Sequence, residues 1–269
     1  MLAVGKVHAN LPSVFTPLVG RDLEIKAAST LLLRENVRTL TLTGTGGIGK
    51  TRLAIQIATE LSPAFAEGVC FISLASIGDP AQVMPAIARA LELREDLDSS
   101  LQEQLQDYLR DQRLLLLLDN FEQVIAAAPM LNDLLAACSA LRLLVTSRVR
   151  LNTTNEQVFS IHPLALPDLA RLPSSDALAR VASVDLFLQR ARQVQPGFKL
   201  TRANARTVAE ICSRLDGLPL AVELAAARVN LLPPQALLKR LENRLSVLTS
   251  SSENHPSRHQ TLRNTIQWS

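Results

Sequence analysis

Eight consecutive residues, Gly44-Thr45-Gly46-Gly47-Ile48-Gly49-Lys50-Thr51, hold four of the ten glycines in the 269-residue chain. Their spacing, a glycine, four residues, then Gly-Lys-Thr, is that of a phosphate-cradling P-loop. Glycines let the main chain curl until successive N–H groups aim at one anion, and the helix that begins at Lys50 adds the positive end of its dipole. In such a loop Lys50 reaches the β- and γ-phosphates, and the Thr51 hydroxyl ligates Mg2+. Arg52, the next residue, is grouped with the loop as a nucleotide contact.

Three more side chains could complete the chemistry. Asp119 follows the run Leu114 to Leu118, and a carboxylate at the tip of a buried strand can hold Mg2+ through its waters, because this cation gives up its hydration reluctantly. Glu122 stands three residues on and could polarise an attacking water, although a solvated carboxylate at a helix start reads equally well. Arg148 closes Thr146-Ser147-Arg148 at another strand end. Its forked donors could meet a γ-phosphate and so tell a triphosphate from a diphosphate. The expected catalytic set is therefore Lys50, Asp119, Glu122 and Arg148, with Thr51 and Asp119 at the metal.

These residues need a scaffold, and the apolar patterning supplies one. Thr39 to Thr43 is short, β-branched and ends at the glycines, so it reads as a strand. Leu53, Ile57 and Leu61 lie on one stripe of a helix that Pro63 stops. Val69 to Leu74, Leu114 to Leu118, Arg142 to Thr146 and Gln157 to Ile161 read as further strands. Helices are expected over Pro80 to Leu91, Leu101 to Leu109 with a Ser100/Glu103 capping box, and Gln123 to Ala137. Strands separated by helix-length segments imply parallel pairing through crossovers, hence an α/β sheet.

The texture changes near Pro163. Residues 163–178 contain three prolines and read as a linker. Beyond them only helical spacing appears, with stripes at Val184, Phe187, Leu188, Ala191 and Val194, then at Val208, Ala209, Cys212 and Leu215. Gly217 sits where a C-cap glycine belongs and Pro219 in the first turn of the next helix, Leu220 to Val229. A last helix runs from Pro234 to about Leu248, with Leu237, Leu238, Leu241 and Leu245 inward.

Composition narrows the class. At 47% hydrophobic and 20% charged residues the chain is an ordinary globular one. No apolar run approaches the roughly 18 residues that cross a bilayer, and the N-terminus lacks a secretory apolar core. Cys70, Cys138 and Cys212 are odd in number, far apart and flanked by apolar residues, as buried thiols in a reducing cytoplasm are. Residues 1–138 carry 11 basic against 16 acidic side chains and residues 139–269 carry 17 against 9. Without basic runs or interleaved aromatics, that asymmetry reads as solvated helix faces rather than a nucleic-acid surface.

VGRDLE from Val19, GTGGIGKT, LLLLLDNFE, LLVTSR, RLDGLPLAVELAAARV from Arg214 and RHQTLRNTIQWS together resemble the NB-ARC class of STAND nucleotide switches, and more narrowly the bacterial regulators that carry this module. The resemblance covers about residues 10–269. It implies a P-loop NTPase fold: an α/β domain over 18–162 with the Walker strand central, after an N-terminal lead (1–17). The 163–178 linker, a helical subdomain over 179–249 and the truncated start of a winged helix at 250–269 follow. It also implies that the segment matching Leu18, Val19, Gly20 and Arg21 wraps an adenine, and that Pro219, in the family's Gly-x-Pro, couples the helical subdomain to the nucleotide. Many members carry a second acid where this chain has Asn120, which implies slow hydrolysis. The family's diphosphate-sensing histidine has no counterpart here, since His259 belongs to the segment that opens the winged helix.

The expected function is an ATP/ADP-dependent, Mg2+-requiring switch for signal transduction or transcriptional regulation, cytoplasmic, locked by ADP and reset by slow hydrolysis. Protein partners or self-association on activation would go with it, DNA being met only through other regions. A metabolic P-loop kinase or transferase would need an acceptor pocket and a base that the sequence does not display. A scaffold with permanently bound structural ADP would share the same motifs.

Overall fold

The computed structural model describes residues 10–13, 16–93 and 99–249. The expected start of a winged helix, 250–269, lies outside them, as do most of the N-terminal lead and the side chain of Leu245. By internal contacts the chain divides into two units, Met1–Thr45 with Lys50–Ile161, and Gly46–Gly49 with His162–Ser269.

The first unit begins with α1 (Asp22–Leu32), which buries Ile25, Ala28 and Leu32. Then β1 (Thr39–Thr43) runs into the glycine loop, and α2 (Lys50–Leu61) follows, burying Leu53, Ile57 and Leu61 as their spacing requires. The remaining elements are β2 (Val69–Ser73), α3 (Val83–Ala90), α4 (Leu101–Leu109), β3 (Leu115–Asp119), α5 (Ala128–Ala137), β4 (Arg142–Ser147) and β5 (Glu156–Ser160). All strands are parallel, in the order β2-β3-β4-β1-β5. The strands feeding the glycine loop and carrying Asp119 are both interior, with β4 central between them. Every residue of β1 and β3 is buried, as strands covered on both faces are. At the β2 edge the Asn10 amide copies a strand's pairing: its Nδ2 donates to Phe71 O (3.0 Å), and its Oδ1 accepts from Phe71 N (2.6 Å).

Several boundaries differ from the patterning. Asp119 is the last residue of β3 rather than lying beyond it. The helix expected from Gln123 begins only at Ala128, after two 3-10 turns, Phe121–Gln123 and Ile125–Ala127. Asn120 turns left-handed there (φ 66°, ψ 41°), and Pro129 sits in the first turn of α5, where its missing N–H costs nothing. The front of the expected Pro80 helix is likewise a 3-10 turn, capped by Asp79. The capping box of α4 is present, with Glu103 N donating to Ser100 Oγ and Ser100 N to Glu103 Oε2.

Among the described residues of the second unit the regular elements are helices: α6 (Ser175–Leu178), α7 (Ala182–Val194), α8 (Ala205–Arg214), α9 (Pro219–Ala226) and α10 (Pro234–Thr249). The stretch read as a linker thus ends in a one-turn helix, capped by Ser174. Val184, Phe187, Leu188 and Ala191 of α7, with Val208, Ala209 and Cys212 of α8, are buried; Val194 is exposed. After α8 the chain turns through Asp216 (φ 51°) and Gly217 (φ 62°). A Cβ on Gly217 would stand 2.4 Å from Leu164 O, so only glycine fits.

Candidate functional site

The buried β1 delivers the chain to Gly44, and Gly49 (φ 94°) turns it into α2 through a conformation that side chains resist. Ile48 is buried and anchors the loop, while its neighbours Thr45, Gly46 and Gly47 are half-exposed. Lys50 is 9% exposed. Its Nζ donates to Gly44 O (2.9 Å) and Thr45 O (3.2 Å), so the ammonium lies across the curl of the loop. Burial pushes the Lys50 pKa below the ordinary lysine value; Glu122 opposes the shift, Arg148 adds to it, and Asp119 opposes it in turn.

Asp119, 6% exposed, meets the loop across the sheet. Thr51 Oγ1 donates to Asp119 Oδ1 (2.7 Å), and Thr146 Oγ1 donates to the same oxygen (2.6 Å). Thr146 also accepts from Asn120 N (3.0 Å). Beyond the turn, Glu122 Oε1 accepts from Arg148 Nε (3.1 Å), and its Oε2 is buried without a hydrogen-bond partner. Arg148 is 63% exposed and Glu122 14%, so the pair lies at the rim of the site with the acid on its inner side. Lys50, Thr51, Asp119, Glu122 and Arg148 are thus gathered at the ends of β1, β3 and β4. A hydroxyl and a carboxylate 2.7 Å apart at the foot of an amide-lined loop suit a hard, hydrated cation and the phosphate oxygens it bridges.

A model of the NB-ARC domain matches residues 21–162, more than half of the chain. The chain belongs to the NB-ARC family. Among relatives, a Mycobacterium tuberculosis protein named as an HTH-type transcriptional regulator, Rv0890c, is 39% identical over 239 residues, which span 88% of this chain and 25% of the relative. Regulatory protein AfsR of Streptomyces coelicolor is 26% identical across 82% of this chain and 22% of its own length. This NB-ARC chain therefore spans about a quarter of the length of these relatives. Of solved structures, the Walker-type ATPase PABY2304 of Pyrococcus abyssi superposes with a TM-score of 0.55 at 11% identity, covering 87% of this chain and 74% of its own. Drosophila ORC bound to DNA gives 0.56 at 17%, covering 88% and 70%. Both share the fold seen here.

The remaining sequence-predicted residues of this NB-ARC chain have their own surroundings. Arg52 Nη2 donates to Thr16 O (2.8 Å), Thr16 Oγ1 (2.9 Å) and Pro17 O (3.2 Å), so it grips the segment leading into Leu18 to Arg21. Val19 is buried and Gly20 exposed with φ 64°. Arg21 is 3% exposed, paired with Glu24 Oε1 at 2.6 Å, and immediately precedes α1. Pro219 opens α9 within the second unit, where the following N–H, that of Leu220, donates to Gly47 O (3.1 Å). Sequence reasoning missed Thr146 and Thr16 as parts of the site. A threonine two residues before a strand-end arginine is the only signal the sequence offers for the first, and a strand composition full of threonines hides it.

Proposed function

We propose that this NB-ARC module binds an adenine nucleotide with Mg2+ and serves as a nucleotide-dependent switch in signal transduction or transcriptional regulation. The Thr51–Asp119 hydrogen bond at the foot of the Lys50 loop carries the reading. The regulator names of its mycobacterial and Streptomyces relatives support the setting.

Each residue has a role in this reading. Backbone N–H groups of the loop and the start of α2 hold the phosphates. Lys50 exchanges the carbonyls of Gly44 and Thr45 for phosphate oxygens. Thr51 and Asp119 hold Mg2+, which neutralises phosphate charge when bound. Arg148 leaves Glu122 for a γ-phosphate, so a triphosphate and a diphosphate leave the rim differently charged. Glu122, once released, orients water for slow hydrolysis that resets the switch. Val19, Gly20 and Arg21 line the adenine, and Arg52 keeps that segment in place through Thr16. Pro219 fixes the start of α9 and couples the helical unit to nucleotide identity. Protein partners or self-association transmit the output, and DNA would be engaged only through regions other than this chain.

The test is direct. Protein purified without added nucleotide and then denatured should release ADP or ATP, and stripped protein should bind ADP with an affinity that Mg2+ strengthens. Absence of both would overturn the proposal.

A further inference from the structure

Thr146 is wholly buried near the end of β4, between β1 and β3, and its single hydroxyl makes two bonds. Its proton goes to Asp119 Oδ1 at 2.6 Å, and its lone pair accepts the N–H of Asn120 at 3.0 Å. Asn120 holds the left-handed conformation, which non-glycine residues adopt rarely and asparagine more readily than most. The hydroxyl therefore pins both the carboxylate and the turn leaving it.

Asp119 also receives Thr51 Oγ1 on the same oxygen, at 2.7 Å. Two donors, one from α2 and one from β4, fix the plane of a carboxylate that would otherwise rotate about its terminal torsion. Both bonds fall on Oδ1, which leaves Oδ2 to accept from a cation's waters. Two residues past Thr146, just beyond the end of β4, Arg148 holds Glu122, so Thr146 and Arg148 fasten the segment 119–122 at both of its ends.

We propose that Thr146 is the positioning residue of the magnesium site: its hydroxyl orients Asp119 toward the metal's water shell and sets the turn that presents Glu122. The proposal rests on the nucleotide-binding reading above. Valine, which copies the shape without the hydroxyl, removes the donor to Asp119 and the acceptor of the Asn120 N–H together. Losing a partner that orients a metal ligand typically lowers metal affinity about 10- to 100-fold.

The experiment is titration of the whole chain with fluorescent ADP in EDTA and in Mg2+, for the wild type, Thr146→Val and Thr146→Ser. In Thr146→Val the affinity gained from Mg2+ should shrink by at least about tenfold while affinity in EDTA stays within about twofold, and Thr146→Ser should recover the gain. A full Mg2+ gain in Thr146→Val, or an equal loss in EDTA and Mg2+, would refute the positioning role. Should Thr146→Val not fold, Thr146→Cys, with a similar shape and a weak donor, is read by the same two outcomes. Wild-type protein that binds no ADP in either condition would overturn the nucleotide reading itself, an outcome visible before any variant is measured.

Discussion

Replacing Lys50 by methionine should separate stability from binding. In the free protein the ammonium donates to the carbonyls of Gly44 and Thr45 at 2.9 and 3.2 Å, bonds of about 1.5–3 kcal/mol each when one partner is charged. Opposing them is the cost of drawing that charge out of water, several kcal/mol for a buried ion, and the lowered pKa of Lys50 marks burial as the larger influence. Methionine keeps the apolar stem, so the two effects nearly cancel and the unfolding free energy of the free protein should move by no more than about 1 kcal/mol. Bound phosphate loses about 3–4 kcal/mol of charge-assisted contact, which lowers affinity about 10²- to 10³-fold. Urea unfolding with and without Mg-ADP reads both quantities. At a hundredfold excess over Kd, ligand adds about 2.7 kcal/mol to the wild type and less than about 0.1 to a variant bound a thousandfold more weakly. A variant that keeps the full ADP stabilisation, or that loses more than about 2 kcal/mol without ligand, would refute the placement of Lys50 as a phosphate-binding ammonium held at a desolvation cost.

Arg148→Ala should weaken ATP about tenfold more than ADP in calorimetric titrations, since only the triphosphate offers what its guanidinium exchanges for Glu122; equal losses would remove it as the γ-phosphate reader. Arg52→Ala should speed proteolysis between residues 10 and 20 and lower ADP affinity by less than about tenfold, because about three hydrogen bonds to Thr16 and Pro17 are lost rather than a phosphate contact; a Lys50-like loss would place the guanidinium on the phosphates instead. Gly217→Ala should destabilise the chain by about 2 kcal/mol or more, the left-handed penalty adding to the approach of a Cβ to Leu164 O; a melting temperature unchanged from wild type would show that the turn relaxes freely.

The sheet and the loop were legible because β1 and β3 are buried runs that stop at a marker, glycine for β1 and aspartate for β3, and because the α2 stripe repeats at helical spacing. Thr51 and Asp119 could be paired from their motifs alone. What the pattern could not convey is how the pair is held. Thr146 looks like any threonine in a strand, since β propensity and a buried hydrogen-bonding role select the same residue. Asn120 reads as a missing acid, whereas its left-handed turn gives asparagine a conformational reason to stand there. Arg52, adjacent in sequence to the loop, points back to Thr16 because helix geometry sends consecutive side chains some 100° apart. The helical reading of Gln123 to Ala127 failed because 3-10 turns carry the same short-range spacing as the first turn of an α-helix.

Among the described residues, Asn10 meets the β2 border with its side chain, through two hydrogen bonds to a single residue, Phe71. Sheet borders left bare recruit other chains, and a lone amide guards one residue's worth of border. A version of this protein shortened past Asn10 would acquire a sticky margin on the far side of β3 from the glycine loop. Clustering seen only in such a shortened version would reflect strand-to-strand adhesion there and not the partner recognition of an activated switch.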